Sequence, residues 1–388
     1  MARKYLTGGL IFLLALALTS CNASTGEPVA PAAAAEGPAA EPAVLPAAAD
    51  EPSGELEVAS TADEKEVTVS AADWVLSQGE WETFSTADGR PNNRIRALLI
   101  DADGHLWVGA SQGGGWFDGT TWKGIVAFPA GVRDMAVDDQ GRVWLADGFG
   151  VEVYEHGTMT TYGLQEGLIS LLTEAILVDR EGTVWASAIV GDHPGGCADS
   201  VAAGGINLFD GEEWSLVDTS DLFSPTVLDL VEDASGNIWA VGGGGFARFD
   251  GTTWEPMRLP NEQANDEQTA DEQSGQIINC VAADSTDRIW LGTKGLGIWI
   301  WDGQGWSQYT RADGLAADTV WAIAFDDAGR AWVGTSGGLN VLDGESWTTY
   351  TVADGLAYND VRAFAFVEDG VWIGTWKGLN HLVFAASE

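Results

Sequence analysis

One column of the sequence holds residues that could do chemistry. Seven short apolar segments can be aligned on the Asp-x-x-Gly turns that follow them. Their second aligned position reads Arg96, Arg133, Glu174, Leu228, Asn279, Trp321 and Arg362. The position before it stays apolar or Thr (Ile95, Val132, Thr173, Val227, Ile278, Val320, Val361). The position after it is mostly small (Ala97, Asp134, Ala175, Asp229, Cys280, Ala322, Ala363). The chain has 388 residues, only 18 Lys and Arg, and a formal net charge of −40, so three Arg in one column is notable. A guanidinium can clamp a carboxylate through two parallel hydrogen bonds, and a positive arc inside an acidic shell focuses an anionic ligand. The competing reading is internal pairing of these Arg with Asp134, Asp229, Asp360 and Glu174, which would only stiffen the region.

The elements that must position this column repeat. Seven segments contain a short strand built around Trp: Trp107, Trp144, Trp185, Trp239, Trp290, Trp332 and Trp372, spaced by 37, 41, 54, 51, 42 and 40 residues. About six residues before most of them lies the Asp-x-x-Gly turn, preceded by the apolar strand that begins with the variable column. After each Trp come Gly-rich residues, a third strand, and in most units a turn Asp-Gly-x-x-Trp opening a fourth, as at Trp122, Trp214, Trp254, Trp306 and Trp347. A period near 40 with four short strands per unit predicts an all-β fold, a seven-bladed β-propeller of four-stranded antiparallel blades. The seventh unit lacks its fourth strand, and Gly79-Glu80-Trp81-Glu82-Thr83-Phe84 reads as a fourth strand with no unit before it. The N-terminal strand is therefore expected to close the last blade, removing open sheet edges.

In that ring the variable column should surround one mouth of the central channel. The Arg of blades 7, 1 and 2 become neighbours on closure. Connections between second and third strands should reach the same face, which adds Gln112, Lys294, Trp376 and Lys377 as candidates. Blade 3 carries an insertion, Gly191 to Asp199, and blade 4 an acidic excursion, Asn261 to Gln276. Both are places where a binding surface or neutral loop growth could arise.

The units resemble the two-component regulator propeller repeat. The resemblance rests on Asp318 to Leu339, Asn359 to Leu379 and the preceding Ala-Asp-Gly-Leu at Ala312 to Leu315 and Ala353 to Leu356. It spans residues 74 to 384, with blades 2 to 4 more divergent. It implies a propeller of the kind found in periplasmic sensor regions of hybrid histidine kinases. The repeats are expected to be free-standing, without a kinase, so binding is expected and inward signalling is not.

Arg3 and Lys4 precede a short apolar run, Leu10 to Leu18, too short to span a membrane, and then Leu18-Thr19-Ser20-Cys21. This resembles a lipoprotein signal, with residues 1–20 removed and Cys21 lipidated. An extracytoplasmic protein held to the membrane of a bacterial cell envelope is expected. Residues 21–72 are rich in Ala, Pro and Glu and read as a disordered tether, with the propeller over 73–388. The charge argues against nucleic acid as a partner. A disulfide between Cys197 and Cys280 is permitted in that compartment but not fixed by sequence.

No cofactor is expected. Asp101-Ala102-Asp103-Gly104 resembles the opening of a calcium loop, but no downstream Glu completes it. Some seven-bladed propellers are lyases using His, Glu and a metal. The four His here form no paired motif, and His105 and His156 fall on the face opposite the mouth, so an enzyme is not the leading expectation. A binding or sensor-like propeller with an anionic or glycan-like ligand leads, and a protein–protein scaffold is the alternative.

Overall fold

Each second strand is buried along its whole length, as in Leu106–Ala110, Val184–Ala188, Ile289–Thr293 and Ala331–Thr335. Burial on both faces means that another sheet packs on either side. The computed structural model describes residues 79–85, 94–125, 131–189, 191–192, 201–202, 204–219, 222, 224, 226–260 and 277–384. They form seven four-stranded antiparallel sheets, the blades of the ring. The signal region, Cys21, the tether, most of the blade 3 insertion with Cys197, and the blade 4 excursion lie outside the described residues. Two ends of the blade 3 insertion pair as a small ribbon, Gly191–Asp192 with Val201–Ala202.

Six blades are continuous in sequence. The seventh is composite. The strand Glu80–Phe84 pairs antiparallel with Leu379–Val383, in the order Glu80–Phe84, Leu379–Val383, Gly370–Thr375, Val361–Val367. Asn380 fastens this junction. Its side chain donates to Thr83 Oγ1 at 2.9 Å and to the Glu82 carbonyl at 3.3 Å, and accepts from the Ala357 amide at 2.7 Å. Asn340 makes the matching bond to the Ala316 amide in blade 6.

In four blades the Trp-x pair is followed by Gly (Gly109, Gly292, Gly334, Gly374), which explains how those blades nest. A Cβ on Gly374 would stand 2.5 Å from Ile95 Cγ2, and one on Gly109 would stand 2.9 Å from Val132 Cγ1. The apolar column that precedes the variable one thus packs on the backbone of the blade before it.

The Asp-x-x-Gly turn is more than a turn. In six blades the Asp receives the indole N–H of the Trp six residues on, for example Trp144 to Asp138 at 2.7 Å, Trp239 to Asp233 at 2.8 Å and Trp332 to Asp326 at 2.9 Å. The other carboxylate oxygen accepts amides of the turn, as Asp138 Oδ1 does from Gln140 and Arg142. Each latch satisfies a buried indole donor. Blade 7 has Val367 at that position. There the His381 ring stacks on Trp372, centroids 4.2 Å apart and 7° from parallel.

Candidate functional site

The first strands contain a device that re-aims the variable column. Ile95 pairs with Ala110 and Ala97 with Gly109, so Arg96 opposes nothing in the second strand. The same slip brackets Arg133, Leu228, Asn279, Trp321 and Arg362, and in blade 3 it spans Glu174 and Ala175. A β-bulge releases one residue from the ladder and turns its side chain. Repeated around the ring, seven bulges present the column to the channel mouth.

There the side chains enclose a cavity of about 460 Å³. All seven column residues line it, Leu228 included, together with Asp134, Asp229, Cys280 and backbone-adjacent small residues of the next column. Six of the candidate ligand residues are therefore brought together: Arg96, Arg133, Glu174, Asn279, Trp321 and Arg362. Gln112, Lys294, Trp376 and Lys377 are not part of the lining. Trp376 nevertheless touches the site, with Arg362 4.7 Å from its ring centre. Lys377 lies 4.0 Å above Tyr358. Lys294 is joined by a bridge to Thr319.

The charges are partly neutralised. Glu174 pairs with Arg133 and stands 3.9 Å from Arg96. Asp360 takes two nitrogens of Arg362, the second at 3.1 Å. Arg362 also lies 3.6 Å over Trp321, so two indoles and a carboxylate fix its plane. Arg96 has the weakest internal partners, the shared Glu174 and Ser111 Oγ at 3.4 Å. Burial lowers its pKa from the usual arginine value. Glu174 opposes that shift, while Arg133 and Arg362 reinforce it. The three guanidinium groups thus form direct ion pairs with two carboxylates, Glu174 and Asp360, and Arg96 is the least closely paired of the three.

Asp134 and Asp229 do not pair with these Arg. Each bridges blades through backbone amides. Asp134 accepts from Met135 at 2.8 Å and from Ile176 of the next blade at 2.9 Å. Asp229 accepts from Leu230 and from Val281 of the next blade, both at 2.8 Å. Burial pushes the Asp134 carboxyl up to about 6. Burial, and then the Asp134 charge, pushes Asp229 up to about 8. Cys280 is a free, buried thiol beside them, its pKa raised by burial and by Asp229. Sequence reasoning placed these Asp among the Arg partners. The missed signal was their position, one residue past the bulge, where a short acceptor can reach the neighbouring strand.

Two of the four His meet elsewhere. His105 and His156 line a second cavity of about 320 Å³ between blades 1 and 2, with Trp116 and Tyr154. His105 is tied to Asp101 at 3.1 Å and packs on Trp116 at 4.6 Å. Among the described residues no group of three His, Cys, Asp or Glu side chains is placed to hold a metal. Nor is any helix there long and apolar enough to cross a membrane.

Residues 89–112 and 314–337 match the two component regulator propeller family. No curated protein sequence matches the chain. Among solved structures, it is similar to the extracellular domain of the B. thetaiotaomicron hybrid two component system BT3049. That likeness has a TM-score of 0.61 at 17% identity, covering 78% of this chain and 41% of that one. It is also similar to virginiamycin B lyase from Staphylococcus aureus (TM-score 0.59, 10% identity, 79% and 100% covered). A third is PorZ, a surface component of the type-IX secretion system of Porphyromonas gingivalis (TM-score 0.58, 18% identity, 76% and 47% covered). The chain spans about two-fifths of the length of the two-component system domains it matches.

Proposed function

We propose that this chain, built on two component regulator propeller repeats, is an extracytoplasmic binding propeller that takes a small anionic ligand at the channel mouth. The observation that carries the reading is the weak pairing of Arg96, whose ion-pair partner Glu174 stands 3.9 Å away and is held by Arg133, while Arg362 is held by Asp360. An anion beside Arg96 would give it a close partner in a partly desolvated setting, where charge-assisted hydrogen bonds are strong. The cavity volume falls in the range of about 300–1,000 Å³ usual for small-ligand sites. The matched extracellular domains of two component systems support a sensing or binding role.

Membrane tethering belongs to the same reading. Cys21 would carry the lipid, and the Ala/Pro/Glu-rich stretch to residue 72 would hold the ring off the surface. Cys21→Ser should move the protein from the membrane fraction to the soluble fraction. A variant that stays with the membrane through a salt wash counts against the anchor.

The binding test is a thermal-shift screen of the full chain against acidic sugars, amino acids, phosphate and sulfate, followed by calorimetry on any hit. Arg96→Ala should lower affinity for the hit at least tenfold with little change in melting temperature. If the variant binds as well as the parent, or no anion shifts the parent, the reading fails.

A scaffold for a partner protein is the second reading. Phe149, Leu164, Leu216 and Val352 are exposed; Phe149 lies in a second-to-third connection, Leu164 and Val352 in blade-to-blade connections, and Leu216 ends a fourth strand. Single exposed apolar residues are common on soluble surfaces, so they weigh less than the weakly paired Arg96.

A further inference from the structure

The cavity that holds the Arg arc also holds two carboxylates with no cation of their own. Asp134 and Asp229 line it together with Arg96. The sister blades mostly place Ala at the same position, with Cys280 the exception. Among the described residues, the ion pairs at the mouth run from Arg96 and Arg133 to Glu174 and from Arg362 to Asp360, and none reaches Asp134 or Asp229. Each Asp oxygen accepts one backbone amide, which leaves one lone pair per oxygen for a further donor. The two carboxylates are close enough for the Asp134 charge to raise the Asp229 pKa, so they share one region of the channel.

We propose that the ligand is a zwitterion of the α-amino-acid type, its carboxylate held by Arg96 and its ammonium by Asp134 and Asp229. This rests on the anion reading above and extends it with a second pole. A simple anion would meet the guanidinium of Arg96 but would also face two carboxylates lining the same space. A simple amine would meet the carboxylates but also three guanidinium groups. Only a ligand carrying both charges, set a few atoms apart, satisfies both arrays. Like-charge contact rejects the singly charged analogues. An ammonium has three N–H donors, which suits two carboxylates that present several open acceptor sites. The cavity exceeds the volume of the charged head group alone, so a side chain fits as well.

Occupancy should also move a proton. Burial and the Asp134 charge raise the Asp229 carboxyl to about 8, so at pH 7.5 part of the unliganded protein holds a proton there. An ammonium beside it favours the ionised form and drives that proton into solvent.

The test uses the full chain, calorimetry at pH 7.5, and the twenty standard L-amino acids as probes, each also as its N-acetyl derivative and its carboxamide. At least one free amino acid should bind ten times tighter than both of its derivatives. Its binding heat should change between buffers of different ionisation enthalpy, reporting proton release. Equal binding of the N-acetyl form would overturn the zwitterion while leaving the anion reading intact. Equal binding of the carboxamide, or no binding by any amino acid, would overturn the zwitterion, and the carboxamide result would overturn the anion reading too. Asp229→Asn should weaken the free amino acid at least tenfold and the N-acetyl form less than twofold. Should that variant unfold, the derivatives tested on the parent chain still decide.

Discussion

The guanidinium carbon of Arg362 lies 3.6 Å from the centre of the Trp321 ring. Trp376 covers it from 4.7 Å, and Asp360 grips its edge. Neither indole occupies one of the repeating Trp positions. They are additions to the fold that hold one cation flat at the mouth. Trp321→Leu and Trp376→Leu should each cost about 0.5–2 kcal/mol, the range of a cation–π contact between exposed and desolvated settings. Arg362→Lys should behave much like Arg362→Ala in urea unfolding, because an ammonium cannot reproduce the stacked, two-pronged arrangement. Full retention of stability by the Lys variant would show that charge alone suffices.

The indole latches predict a contrast between blades. Asp233→Ala orphans the N–H of Trp239, which is 3% exposed, and should cost about 1–3 kcal/mol. Burial pushes the Asp233 carboxyl up, but the bonds from Trp239 and Asn237 outweigh it and hold it below its ordinary value. Trp239→Phe should accordingly cost more than Trp372→Phe, because blade 7 offers Val367 in place of the Asp. Urea denaturation of the two Phe variants measures the difference.

Stability should peak at mildly acid pH. Asp101, Asp138, Asp233 and Asp284 have carboxyls below the usual range, so what they contribute is present above about pH 4 and is lost on further acidification. Asp134 and Asp229 work in the opposite sense. Their folded-state values, about 6 and about 8, exceed the ordinary 3.8, so their penalty is absent below 3.8 and grows as pH rises to those values. The groups lining the channel beside Asp229 are Asp134, Glu174, Cys280 and the three Arg. The melting temperature should fall between pH 5.5 and 8.5, and Asp229→Asn should flatten that slope even if it lowers the whole curve. An unchanged slope would remove Asp229 from the account.

The junction of the first and last strands gives a fourth expectation. Asn380 is fully buried and ties Glu82 and Thr83 to the blade. Asn380→Ala should cost about 1–3 kcal/mol by leaving these groups and the Ala357 amide without a partner. In hydrogen exchange, the amides of Glu80–Phe84 should lose protection before those of any inner strand. Uniform loss across the ring would mean that this strand is not a separate opening unit.

Much of this was legible in the sequence because a repeat supplies its own alignment. The Trp spacing set the blade count, and the orphan strand at Trp81 with the missing one after Val383 set the closure. The mouth was also legible, since six of the candidate residues share one cavity. What could not be read was direction. The bulge that turns Arg96 and its counterparts inward leaves no mark in composition, because it is a slip in pairing with another strand. The same slip lets Asp134 and Asp229 reach amides of the next blade, so their pairing with Arg was expected and did not form. Gln112 and Lys294 occupy the right connections, but loop length alone does not say how far a side chain reaches.

The pairing of Glu80–Phe84 with Leu379–Val383 joins residues nearly three hundred positions apart, as the 297-residue separation of Thr83 and Asn380 records. Contacts of that span raise contact order and slow the final step of folding. Six blades can form one after another as the chain emerges. The seventh must wait for the last strands, with its earliest strand left unpaired throughout. The rate of ring closure is thus set by a search between distant parts of the chain, and an early strand left exposed that long is the natural point for a chaperone or a protease to act.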